Sequence, residues 1–552
     1  METNPYTGPQ YDLRLKGAYD PGPIAPVFVR ESPNNEATVQ AFDDGSLKIF
    51  YAAEGQVLSI HSSDGGVTWG DPVVEFEHGA MSKYPRRTLL DRDGELHLFF
   101  LNEHTDIYHV KTIGKRSQWG MARKILDGHI GAIRAVTQLT DGRMVLAYHR
   151  RGIQGEALLE TTGRSATTAV YSDNGGETWV PSQNLVTAPV YPGFNGNNDG
   201  ACEPAILELQ DGRLWLLMRS QTGYLWEAHS NDRGERWGQG RASIFRSSNS
   251  PAGFLRLPDG RIVLAWNNCR EADVRSFGRI YTNRDVLHAA VSEDDGQTWR
   301  GFREVFRDMS RDHQVGLGRG DHGTAYPNMA FSKQGKVILV SGQRDGLRAV
   351  FLFDPDFLYE TVQEEDFSGD LETWCAYTFT RLDQKPERRP GPRLVIHPTK
   401  PSEQVLFFNR RDDHFSDAAS WNFPMGRKGE VELDLMIQPG ADAVTVALTD
   451  HFQYPNDPDG EAKAVFSFQL DESLLEAGKW HRLTLKWDLL QEYCALLCQG
   501  RLLTFSEGQR DCLTGISYLR FRYLAEEVNK NGVMISRIRA ETTQNLSLNA
   551  RW

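Results

Sequence analysis

From about residue 25 to residue 355 the chain is written in short apolar runs that come in pairs. AVTQLTDG is followed by RMVLAYH, AILELQDG by RLWLLMR and FLRLPDG by RIVLAWN. Each run has strand length, and the Asp-Gly between them supplies a tight turn. The unit recurs around Asp44-Gly45, Asp93-Gly94, Asp141-Gly142, Asp211-Gly212, Asp259-Gly260 and Gln334-Gly335. Six copies predict six repeating β units. Intervals of 48 or 49 residues set the bare length of a unit, and the intervals of 70 and 75 hold extra loops.

A second repeat gives the same architecture independently. Ser62-x-Asp64-x-Gly66-x-Thr68-Trp69 is echoed at Ser172 to Trp179, Ser230 to Trp237 and Ser292 to Trp299, and an eroded copy ends at Trp119. In such a hairpin an Asp or Asn side chain bonds the turn's own amides, Gly supplies positive φ, and Trp plugs the gap towards a neighbouring hairpin. Its tryptophans step by 50 to 62 residues, about one four-stranded blade. A six-bladed β-propeller is the expected fold.

Beyond residue 358 the repeats stop. EVELDLMI, AVTVALTD and HRLTLKWDL alternate apolar and polar positions, with Leu483, Leu485, Trp487 and Leu489 on one face. That pattern predicts a second all-β unit, a jelly-roll or concanavalin-like sandwich. The reading is therefore all-β throughout, with a propeller over 1–358 and a sandwich over 359–552. The polar stretch 384–392 (QKPERRPGP) reads as a loop early in the sandwich.

Composition removes several classes of function. With 61 Lys and Arg against 74 Asp and Glu, the net charge of −13 lacks the basic face a nucleic-acid partner needs. No run of eighteen apolar residues marks a membrane span. METNPYTGPQYDLRLKG has no apolar stretch, so a chain that starts at Met1 is expected in the cytoplasm, or outside the cell if a leader has been cut away. The six cysteines lack CxxC spacing and are expected as buried free thiols. No motif asks for a metal, nucleotide or other cofactor. Asn456-Asp457-Pro458-Asp459-Gly460-Glu461 has the oxygens of a calcium loop, but reads better as an exposed acidic turn.

In a propeller the starts of the inner strands and the exits of the second strands converge on one axial mouth, where chemistry is to be sought. Counting back about ten residues from each turn glycine brings Asn35, Glu36, Tyr84, Arg86, Arg87, Arg134, Glu203, Ser250 and Tyr326 to that rim. The exits add Glu54, Asn102, His104, His149, Arg150, Arg151, Arg219, Gln221, Asn267, Asn268 and Arg270. Arg86 and Arg87 are adjacent, so a strand points one of them inward.

Asp-box hairpins on six blades resemble the sialidase (neuraminidase) superfamily over roughly residues 25 to 355. The resemblance implies an arginine triad gripping a sugar carboxylate, a Tyr nucleophile paired with a Glu, and an Asp acid/base. CEPAILELQDG puts Glu203 nine residues before its turn glycine, where the family has its Glu. AYPNMAFSKQG puts Tyr326 at the matching place in the sixth blade, and RDVLHAAVS puts Arg284 at the third arginine. Two places depart. The first arginine aligns with Asn35, and the second aligns with Leu225 in GYLWEAHS. The loop that carries the family's acid/base holds only Glu54, with Glu36 and His149 as rivals; a histidine has a pKa suited to that work near neutrality.

A phenol suits an anomeric carbon that bears a carboxylate, because a neutral nucleophile avoids charge repulsion while Glu203 takes its proton. Loss of two clamps would weaken the grip unless Arg86, Arg87 or Arg134 takes over. The expected function is an exo-acting glycosidase of sialidase type on an acidic glycan. Tyr326, Glu203, Glu54 and His149 are its catalytic candidates, and Arg284, Arg86, Arg87, Arg134, Arg219, Asn35 and Glu36 its substrate ligands. Two other readings fit the rim. One is a lyase on uronate-containing glycans, with Tyr326 or His149 moving the proton; the other is a glycan-binding propeller without catalysis. No oligomeric state follows from the sequence.

Overall fold

The computed structural model describes residues 24–34, 36–53, 55–79, 86–102, 105–128, 130–151, 165–189, 200–269, 284–308, 315–316, 323–343, 348–379, 387–457 and 459–548. Six antiparallel sheets built on four strands follow one another, the second with a short extra strand at Gln118–Trp119. Their inner strands are Thr38–Ala41, Arg86–Leu90, Ile130–Gln138, Cys202–Glu208, Gly253–Arg256 and Asn328–Phe331. Each inner strand touches the next, and Asn328–Phe331 touches Thr38–Ala41, so the sheets form a closed ring. Val27–Glu31 pairs with Ala349–Phe353 as the outer strand of the sixth sheet. The ring is thereby tied by strands from both ends of the repeat.

The Asp boxes are built as their residue types demand. Ser62 Oγ accepts the Gly66 amide at 2.9 Å, Asp64 accepts the Thr68 amide at 2.9 Å, and Trp69 donates its indole N–H to Gly66 O at 2.8 Å. Gly66 has φ +97°, and a Cβ there would press on Leu352 and Ile338 of the adjoining sixth blade. The Ser and Asp or Asn bonds recur around Asn174, Asp232 and Asp294; the indoles of Trp179 and Trp299 again donate to the box glycine, while Trp237 donates to Ser182 Oγ. These bonds tie the hairpins.

The C-terminal unit is a two-sheet sandwich. One sheet holds Trp374–Cys375, Ala418–Gly426, Ile516–Tyr523, Val444–Thr449 and Phe466–Leu470; the other centres on Lys428–Ile437, Trp480–Asp488 and Asn529–Gln544. Trp421, Leu519, Phe521, Leu483, Leu485 and Trp487 meet in a core from which water is excluded. The segment 384–392, expected as a loop, contains the strand Glu387–Pro390, which pairs with Tyr377–Phe379 and with Val315–Gly316 from the propeller. Pro390 is its last residue, so the proline read as a turn signal ends a strand instead.

The acidic run is neither a calcium loop nor an exposed turn. Asp457 pairs with Lys463 at 3.0 Å, and Glu461 pairs with Arg520 at 3.0 Å and Arg522 at 2.8 Å. Asn456 and Asp457 are buried. Cations of the chain itself therefore hold these carboxylates. The six cysteines, all among the described residues, form no disulfide; Cys202, Cys269, Cys375 and Cys494 are buried, and Cys498 and Cys512 are half-buried.

The sandwich meets the fifth blade through a polar, fully buried relay. The Asn268 amide donates to His288 Nδ1 at 3.1 Å, which leaves the proton on Nε2, 2.5 Å from the Tyr518 oxygen. Tyr518 in turn donates to Glu304 at 2.5 Å, and Asn422 accepts the Glu304 amide at 2.9 Å. Burial, with Arg307 beside it, pushes His288 from 6.5 down to about 3. Its folded pKa is the lower one, so the unfolded chain takes the proton first, and stability rises with pH between about 3 and 6.5. From pH 7.5 to pH 5 this one group is expected to remove about 2 kcal/mol of stability. Urea unfolding at the two pH values checks it; His288→Gln should flatten the difference by that amount.

Candidate active site

The fourth blade presents its carboxylate through a fault in its ladder. Cys202 pairs with Arg219 and Ala205 with Leu217, so the register slips at Glu203, whose φ is +47°. A bulge of this kind turns a side chain out of the sheet. Tyr326, just before the sixth inner strand, has φ +64°. Left-handed backbone costs a residue other than glycine roughly 1–3 kcal/mol, and proteins keep such strain mostly where a side chain must be aimed.

The two side chains meet. Tyr326 donates its hydroxyl to Glu203 at 3.1 Å; Arg219 donates one N–H to Glu203 at 2.7 Å and to the Tyr326 oxygen at 3.2 Å. The Arg134 and Arg284 guanidiniums lie 4.7 and 5.4 Å from the Tyr326 ring centre. Asn249 Oδ1 accepts Arg219 Nε at 2.6 Å, its carbonyl accepts Arg284 at 2.9 Å, and Gln343 Oε1 takes Arg284's other arm. Arg134 reaches Glu36 at 2.7 Å, while Arg87 bonds the Arg134 carbonyl and approaches Glu36 at 3.5 Å.

Among the described residues, guanidiniums outnumber the carboxylates they meet. Arg87, Arg134, Arg219 and Arg284 gather around Glu36 and Glu203; Asp285, next to Arg284, bonds Tyr377 of the sandwich at 2.5 Å. Burial would raise the Glu203 carboxyl, but Arg219, Arg134 and His149 outweigh it and hold it down to about 2. Burial, then the neighbouring Arg134 charge, pushes Arg87 down to about 9 despite Glu36. Both shifts follow from crowded positive charge in a site shielded from water, which favours an anion.

The Glu203 amide donates to His149 Nδ1 at 3.2 Å. His149 therefore braces the bulge, and its ring occupies the space beside Gly131, where an added Cβ would lie 1.6 Å from Nε2. Among the sequence-read candidates, Glu203, Tyr326, Arg219, Arg284, Arg134, Arg87, Glu36 and His149 come together here. Arg87 is the inward member of the adjacent pair, buried as it is. The Arg86 side chain and Asn35 and Glu54 lie outside the described residues, as do Tyr84, His104 and Arg270. Leu225 is buried in the fourth blade's apolar core, and the guanidinium of that blade comes from Arg219 on the preceding strand. Leu225 thus carries no polar group to the mouth, and Arg219, already read at the rim, is the fourth-blade arginine that meets Glu203 and Tyr326. Sequence reasoning missed Asn249 and Gln343. Asn249 adjoins Ser250, already placed at the rim, and Gln343 sits at a second-strand exit that was read for other blades but not for the sixth.

Residues 77–339 match the family described as BNR repeat-like domain. The domain and its Asp boxes fit the sialidase superfamily. A sialidase of Micromonospora viridifaciens is 30% identical over 192 residues, 32% of this chain and 26% of that protein; the chain thus spans about a quarter of the length of this relative. Among solved structures, a Dyadobacter fermentans protein of unknown function covers 60% of this chain and 98% of its own at 15% identity and TM-score 0.43. Trypanosoma rangeli sialidase covers 92% and 91% at 12% identity and TM-score 0.38. Around the BNR repeat-like domain, the flanking segments 27–76 and 340–353 supply the first blade and the closing strands.

Proposed function

We propose that the chain is an exo-acting glycosidase of sialidase type that removes a terminal sugar bearing a carboxylate, with a propeller over 1–358 and a sandwich over 359–552 as its domains. The observation that carries this is the triangle of Tyr326, Glu203 and Arg219, with the Arg134 and Arg284 guanidiniums against the Tyr326 ring. Tyr326 Oη attacks the anomeric carbon and passes its proton to Glu203. Arg219 stabilises the developing phenolate, and Arg284 with Arg134 or Arg87 takes the sugar carboxylate. The bound anion draws positive charge away from Glu203, whose basicity then rises from its resting level. Glu54 protonates the leaving oxygen, and His149 holds Glu203 in its aim.

The relatives' printed names support the sugar class: the curated relative and several similar structures are sialidases. A screen on acidic glycans and aryl glycosides, including sialosides, other keto-acid glycosides and uronides, tests the proposal. Free sugar released by the wild type and not by Tyr326→Phe is the expected result. A rise in near-ultraviolet absorbance from an unsaturated uronate would replace the reading by a lyase, and glycan binding without product would replace it by a glycan-binding propeller.

Gly131→Ala tests the brace. The new methyl must displace His149 from the Glu203 amide, and kcat is expected to fall on the order of 10²-fold, as misplacement near 1 Å does. KM should move much less, because the arginines are untouched. Steady-state kinetics on the released sugar would show the split.

A further inference from the structure

Among the described buried carboxamides at this mouth, Asn249, Gln343 and Asn267 are spent on the protein. Asn249 and Gln343 hold Arg219 and Arg284. Asn267 accepts from Ser250 at 2.7 Å and donates to the Val286 carbonyl at 2.7 Å. Gln221 differs: it is only 4% exposed, yet neither Oε1 nor Nε2 has a hydrogen-bond partner. A buried amide with both ends unpaired costs about 1–3 kcal/mol for each end, and such a group is retained where something else uses it.

Its position says what that is. Arg219 is level with Cys202 across the ladder, and Gln221 follows it by two residues, in the bend that joins Leu214–Arg219 to Tyr224–Ser230 at the same end of the blade. Between them Ser220 bonds the Tyr224 carbonyl and Thr222, each at 2.8 Å. The chain then folds back, with the Gly223 carbonyl accepting the Ser247 amide at 3.0 Å. Resting on the proposed acidic-sugar reading, we infer that Gln221 is a specificity residue that binds a hydroxyl or acylamino group of the sugar while the arginines bind its carboxylate. A primary amide both donates and accepts, as those substituents do, and it adds no charge to a site whose cations already match the anion. A site built to hydrogen-bond a substituent also rejects ligands that lack it.

The experiment is calorimetric titration of wild type, Gln221→Met and Arg284→Ala with N-acetylneuraminic acid and with benzoate, a carboxylate without hydroxyls. Gln221→Met should weaken the sugar acid about tenfold, the worth of one or two such bonds, and leave benzoate unchanged, whereas Arg284→Ala should weaken both. The melting temperature of Gln221→Met should not fall, since no protein hydrogen bond is lost. Unchanged sugar affinity in Gln221→Met, or equal weakening of both ligands, would overturn the assignment while the acidic-sugar reading stands. A wild type that binds neither ligand would overturn both.

Discussion

Tyr326→Phe is expected to lower kcat by at least about 10⁴-fold, the scale on which enzymes lose a covalent nucleophile, with the melting temperature unchanged. Only the hydroxyl goes. The phenyl ring keeps its place against Arg134 and Arg284, and Glu203 keeps its bond from Arg219. KM for the acidic sugar should hold within a few-fold, because the carboxylate contacts are made by arginines that the change does not touch. Kinetics and thermal melting of the same preparation decide it: a tenth of wild-type activity in the variant would remove Tyr326 from the role of nucleophile.

The largest effect on stability is expected from Arg219→Met. Arg219 and Glu203 are both buried, and removing one partner of such a pair leaves an uncompensated charge, a loss of about 3–5 kcal/mol. The pH dependence has a definite sign. In the wild type the Glu203 carboxyl is held near 2 against an ordinary 4.5, so its contribution is complete above 4.5 and lost as pH falls from there towards 2. Without Arg219, burial dominates and the carboxyl titrates above its ordinary value. The variant should therefore be most destabilised near pH 7 and less so near pH 4. Urea unfolding of both proteins across that range, with Glu203→Gln added to the variant to recover part of the loss, would show it. A difference that does not change with pH would mean that the pair is not the source.

Much of this arrangement was legible in the chain because a propeller repeats. Once the turn glycines were counted, Glu203 and Tyr326 stood nine residues before theirs, and they are the two residues that meet at the mouth. What the repeat does not encode was missed. The bulge at Glu203 depends on a slip in pairing with Arg219 that no spacing announces. The apolar Leu225 is packed in the fourth blade's core, but the grip of Arg219 on both Glu203 and Tyr326 shows only in the fold. The His288–Tyr518–Glu304 relay joins residues more than two hundred positions apart, and only the packing of sandwich on blade makes it. His149 was chosen for its pKa, and no spacing announces its contact with the Glu203 amide.

The central claim is that Tyr326 becomes covalently bound to the sugar. Mass spectrometry of the intact protein and of the Tyr326 peptide, after incubation with a fluorinated acidic-sugar fluoride that slows the second step, tests it most directly. The account predicts one sugar per chain, located on Tyr326 and absent from Tyr326→Phe. Sugar release without an adduct, or an adduct on another residue, would contradict it.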